Sequence, residues 1–98
     1  MTGSIQPTAR QFGAAVRKCL KQRDEADRVQ KVTAETTSFS VLGYGTGIFA
    51  GITCTQRLSE SALTELRKVR EWHEARADEG NHFIIELRGA PYPFGGVV

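Results

Sequence analysis

Long apolar runs, paired cysteines and an excess of one charge are all missing from this sequence, and each gap closes off a class of function. No apolar stretch approaches the ~20 residues needed to cross a bilayer as a helix. The opening Met1-Thr2-Gly3-Ser4-Ile5-Gln6-Pro7 lacks a basic region followed by an apolar run, so neither a secretory signal nor a transmembrane helix is expected. The expected location is cytoplasmic, with no membrane partner. Cys19 and Cys54 stand alone without C-x-x-C spacing, which predicts buried free thiols. His73 and His82 are the only histidines, and a zinc site would have to draw both cysteines and both histidines from four separate elements. No metal and no cofactor are expected. Thirteen Lys and Arg against eleven Asp and Glu leave a net charge of +2, too little by itself to indicate nucleic acid or an anionic membrane.

What remains is a globular composition. The 98 residues are 40% apolar, 24% charged and 8% aromatic, enough for one packed domain spanning residues 1–98. At this size the core is small, so a partner surface is a plausible stabiliser. Residues 1–6 read as a flexible N-terminus. From Pro7 to Arg28, Phe12, Ala15, Val16, Cys19 and Leu20 recur at helical spacing. Residues 32–42 are rich in Thr, Val and Ser and read as a strand. Gly43, Gly45 and Gly47 read as a hairpin turn, with Tyr44 at its crest as a contact residue. Ile48, Ala50, Ile52 and Cys54 alternate with Phe49, Gly51 and Thr53 as a second strand.

Ser59 is positioned to cap a second helix, with Leu58, Ala62, Leu66, Val69, Trp72 and His73 forming its inner face. Gly80-Asn81 ends it. Phe83, Ile85 and Leu87 then alternate with His82, Ile84, Glu86 and Arg88 as a third strand. The order α-β-β-α-β predicts an α+β two-layer sandwich. Its mainly antiparallel three-stranded sheet would carry both helices on one face, with the third strand beside the first. The other face and the sheet edges stay open, and dimerisation through them is the simplest remedy.

The last ten residues carry no charge but include Pro91, Tyr92, Pro93 and Phe94. Two prolines two apart forbid a helix and leave an extended apolar arm over residues 89–98. That arm either folds over its own core or crosses to a neighbour.

Three functions fit these residues. The first is a non-enzymatic protein-interaction module, a homodimer that binds a protein partner through the open sheet face or through Pro91, Tyr92, Pro93, Phe94 and Tyr44. The second is a nucleic-acid-associated accessory protein. Arg10, Arg17, Lys21 and Arg28 fall on one side of the first helix and would track phosphates along about 27 Å. The third is a small enzyme or ligand carrier, with a pocket between sheet and second helix lined by Phe49, Trp72 and His73. No catalytic constellation stands out: the glycine turn leads into a strand, unlike a phosphate loop. Glu35 and Glu86 would approach one another, with Arg88 as ion-pair partner, only if the first and third strands are neighbours.

Overall fold

The computed structural model describes residues 9–39, 45–77 and 81–98. The N-terminal segment, Gly43 and Tyr44 of the expected turn, and Gly80 of the expected helix stop lie outside them. Helix α1 (Ala9–Gln22) leads through a short 3-10 turn (Ala26–Arg28) into β1 (Val29–Phe39) and β2 (Gly45–Cys54). Then come α2 (Glu60–Arg76), β3 (Asn81–Arg88) and β4 (Gly96–Val97). The chain is α+β with helices packed on the sheet, but among the described residues the sheet is four-stranded and mixed, in the order β1-β2-β3-β4. β1 is antiparallel to β2, β2 is parallel to β3, and β3 is antiparallel to β4.

β3 therefore runs in the expected direction but beside β2, not beside β1. Side-chain chemistry gives the reason. β2 carries no charged residue and takes the central place, where both neighbours shield it. β1 carries Lys31 and Glu35 and fits an edge, where charge is tolerated. The helical crossover from β2 then delivers β3 parallel to it. Gly45 and Gly47 lie within β2, so the expected glycine turn is mostly strand.

α1 is shorter than its periodicity predicts. After Gln22 the residues as far as Arg28 offer no large apolar side chain, so further turns would bury nothing. The helix stops with Asp24 in the left-handed region at φ 56°. The Glu25 amide bonds to Leu20 O at 2.9 Å and the Asp24 amide to Lys21 O at 3.2 Å, the paired bonds of a Schellman ending with aspartate where glycine is usual. Arg28 is thereby removed from the helix.

Glu25 then links the two helices. Its carboxylate, almost fully buried, accepts the Ser59 amide at 2.8 Å, while the Ser59 hydroxyl accepts the Ala62 amide at 3.1 Å. In a capping box the residue at the Ala62 position would be the acid that reaches back to the cap amide. Here Glu25, distant in sequence, takes that role, and its negative charge suits the positive end of α2.

Phe12, Val16, Cys19 and Leu20 of α1 and Ala62 and Leu66 of α2 bury against Ile48, Ala50, Ile52 and Cys54 of β2 and Phe83, Ile85 and Leu87 of β3. Phe12 meets Phe83 edge-on at 5.0 Å and His73 at 5.1 Å. Both cysteines are free and buried. No helix among the described residues is long and apolar enough to cross a membrane.

The C-terminal arm is not extended. The Tyr92 amide bonds to Gly89 O at 3.0 Å and the Gly95 amide to Tyr92 O at 2.9 Å, two successive turns that bring Gly96 and Val97 alongside β3 as β4. The Tyr92 hydroxyl accepts the Leu58 amide at 3.0 Å, and the Arg57 guanidinium lies 5.0 Å from the Tyr92 ring centroid. The arm thus folds onto its own chain.

Candidate interaction surface

Strand alternation sends Ile48, Ala50, Ile52, Phe83, Ile85 and Leu87 toward the helices and leaves their neighbours on the opposite face. Strand register arranges that opposite face in rows. Glu35 of β1, Phe49 of β2 and Ile84 of β3 form one row, and Thr33, Gly51, Glu86 and Val97 form the next. Lys31, Thr53 and Arg88 follow. Among the described residues no helix lies over these rows. Phe49 and Ile84, half-buried side by side, make an apolar centre with charge on its flanks.

Arg88 does not reach Glu35. Its Nε donates to Glu86 Oε1 at 2.7 Å on the same strand, and Nη2 lies 2.6 Å from the same oxygen. β1 and β3 are separated by β2, so the expected approach of Glu35 and Glu86 does not occur. The Arg88 guanidinium instead crosses Gly51, where a Cβ would stand 2.7 Å from Arg88 Cζ. Glycine at that position is what lets the cation lie flat on the sheet.

Of the expected contact residues in the arm, Tyr92 and Pro91 serve its own fold: Tyr92 caps Leu58, and Pro91 O accepts from Arg57 Nη1 at 3.1 Å. Pro93 is exposed. Phe94 is 100% exposed and Val97 73% exposed, so the arm offers two apolar side chains to solvent near the sheet's β4 side. Tyr44 lies outside the described residues.

The expected pocket is in a different place. Trp72 and His73 line a groove of about 750 Å³ that opens between α1 and α2, with Ala15, Cys19 and Val69 among its apolar walls and Lys18 and Arg76 at its rim. Phe49 is on the far face of the sheet and takes no part. Trp72 and His73 are adjacent on α2, and a step of 100° cannot turn both inward. His73 is buried, whereas Trp72 is 53% exposed with the Arg76 guanidinium 3.9 Å from its ring centroid. His73 Nδ1 lies 2.9 Å from Val69 O; a carbonyl only accepts, so Nδ1 is the donor in this contact. Burial holds the Cys54 thiol above its ordinary pKa. Burial also raises Cys19, with the Glu65 carboxylate adding to the rise and Arg23 opposing it, which disfavours a thiolate nucleophile.

The four cations expected on one helix face are dispersed. Arg10, Arg17 and Lys21 remain on α1, but Arg17 Nη2 donates to Val32 O of β1 at 2.9 Å. Arg28, outside the helix, donates to Arg57 O at 3.0 Å and lies 3.7 Å from Glu25. Among the described residues no group of three His, Cys, Asp or Glu side chains converges as a metal site requires.

Sequence reasoning passed over Ile84 and Val97 as surface residues and Glu25 as a helix link. The row that joins Ile84 to Phe49 was readable in principle, since both occupy the non-core positions of alternating strands; the missing information was which strands are neighbours. Comparison with known protein families, with curated proteins and with solved structures finds no match for this chain.

Proposed function

We propose that this chain is a non-enzymatic protein-interaction module that acts as a homodimer and presents its uncovered sheet face to a protein partner. The observation that carries it is the row Glu35, Phe49, Ile84 at the middle of a face that neither helix covers. An apolar centre ringed by charge is the usual anatomy of a protein-binding surface. Arg88, held flat by Glu86, adds a preorganised donor of the kind enriched among strong interface contacts. The partner should carry an apolar patch bordered by carboxylates and donors that match this rim.

A photoreactive benzophenone amino acid placed at position 49 tests the face directly, with the same probe at Arg67, exposed on α2, as the comparison site. In the cells that make the protein, the probe at 49 is expected to give a discrete adduct that the probe at 67 does not. Equal labelling from both sites, or none from 49, would reject the face as the binding surface.

One observation favours a second reading as a ligand carrier: the groove between α1 and α2 falls within the ~300–1,000 Å³ typical of small-molecule sites. Its apolar walls, with Lys18, Lys68 and Arg76 against the single carboxylate of Glu65 in the lining, suit a carboxylate with an apolar tail. Trp72 is the only tryptophan, so its emission reports occupancy; no saturable change on titrating dodecanoate would remove this reading.

A further inference from the structure

We propose that the homodimer forms through the free edge of β1, paired antiparallel with β1 of a second copy about a two-fold axis at Thr33. The inference deepens the homodimeric reading above and rests on it. Among the described residues β1 is the terminal strand of the sheet and has a hydrogen-bonded neighbour on one side only. It runs for 11 residues, a long strand to leave with an open row of amides and carbonyls. β3, by comparison, is partly closed off by β4.

The sequence of this edge is complementary to itself. With Thr33 facing Thr33 of the second copy, Lys31 faces Glu35 and Glu35 faces Lys31, while Val32 and Ala34 face each other on the helix side. Lys31 and Glu35 are both exposed, and neither has an ion-pair partner among the described residues. Pairings centred on Lys31 or on Glu35 would set like charges face to face, which is unfavourable for directly opposed residues. The charges therefore select the register as well as stabilise it. The irregularity between Val29 and Lys31 falls just outside the span from Lys31 to Glu35, where the ladder with β2 is regular. Arg17 already donates to Val32 O, and the oxygen's second lone pair can still accept a strand amide.

A two-fold axis perpendicular to the sheet keeps both open faces on the same side. The two copies of the Phe49 and Ile84 row would then belong to one continuous surface, and the helices of both copies would cover the other side.

Opposed Cβ atoms in an antiparallel pair stand about 4.5–5.5 Å apart, close to what a disulfide needs after small adjustment. Thr33→Cys should therefore give a covalent dimer under mild oxidation. Cys19 and Cys54, both buried, should leave the parent chain uncrosslinked. Lys31→Glu and Glu35→Lys should each weaken the dimer about tenfold by replacing two attractive pairs with two repulsive ones, and the double variant should recover parent affinity. Melting curves confirm that each exposed substitution leaves the fold intact. A dimer that is indifferent to both reversals and does not crosslink at 33 would overturn the β1 seam while leaving the interaction module standing. A chain that stays monomeric at every concentration would overturn both.

Discussion

Substituting Gly89 by alanine should be among the most damaging single-methyl changes available to this protein. Gly89 follows the last residue of β3 at φ +108°, and a Cβ there would stand 2.2 Å from the backbone oxygen of Cys54 and 3.0 Å from its nitrogen. Neither atom belongs to a side chain that can rotate away, so the end of β3 must move off β2. Gly95 provides the control, because it has φ +74° but a Cβ there would meet only Leu87 O at 3.7 Å, an ordinary contact. Gly95→Ala isolates the cost of placing a side chain in the left-handed region, about 1 kcal/mol. Gly89→Ala adds a less populated backbone conformation, roughly 1–3 kcal/mol, to an overpacking cost of similar size. Its total should be about 3–5 kcal/mol, a large part of the ~5–15 kcal/mol that holds a domain folded. At roughly 4–8 °C per kcal/mol for a domain of this length, its melting point should fall by about 12–40 °C. Urea unfolding followed by Trp72 emission measures both variants, with an unchanged m-value required for the comparison. Equal losses for the two alanines would refute the assigned clash between the end of β3 and Cys54.

Other perturbations reach other links in the fold. Glu25→Ala removes the acceptor for the Ser59 amide and should cost about 1–3 kcal/mol in urea unfolding; a neutral result would mean that α2 does not depend on this remote cap. Asp24→Gly, at the left-handed end of α1, should instead stabilise by about 0.5–1 kcal/mol, and a loss of stability would contradict the helix ending described. Burial raises the Cys54 and Cys19 thiols above the ordinary 9.0. Above that pH the native state keeps protons that the unfolded state has lost, so this contribution to stability is flat below about pH 9 and declines above it. Alkylation of both thiols should be slow in the folded protein and fast in denaturant, and rapid native labelling would show that they are not sheltered.

Periodicity made the interior of each element readable. Phe12, Val16, Cys19 and Leu20 recur at helical spacing and are buried, and Phe83, Ile85 and Leu87 alternate and are buried. Boundaries and neighbours were not readable, because tertiary contacts decide them. α1 gives way at Asp24, a residue that adopts the left-handed region less readily than glycine, and no local signal marks that exchange. The polar character of β1 identifies it as an edge strand only when compared with the uncharged β2, and that comparison moves β3 from one side of the sheet to the other. Pro91 and Pro93 excluded helix from the arm, but the turns after Gly89 and at Gly95 return the chain to β3, and Tyr92 is held by Leu58, a residue remote in sequence. Phe49 and Trp72, which composition alone would group in one pocket, are assigned to opposite faces by the alternation of β2 and the helical rotation of α2. The candidate surface was therefore legible as an open face, without the rows that give it chemistry.

Whether the chain self-associates, as a seam along β1 requires, is decided most directly by the mass of the full chain in solution. Sedimentation equilibrium from micromolar to millimolar concentration should reach twice the chain mass of 10.8 kDa. A single-chain mass throughout that range would contradict the homodimer and its β1 seam.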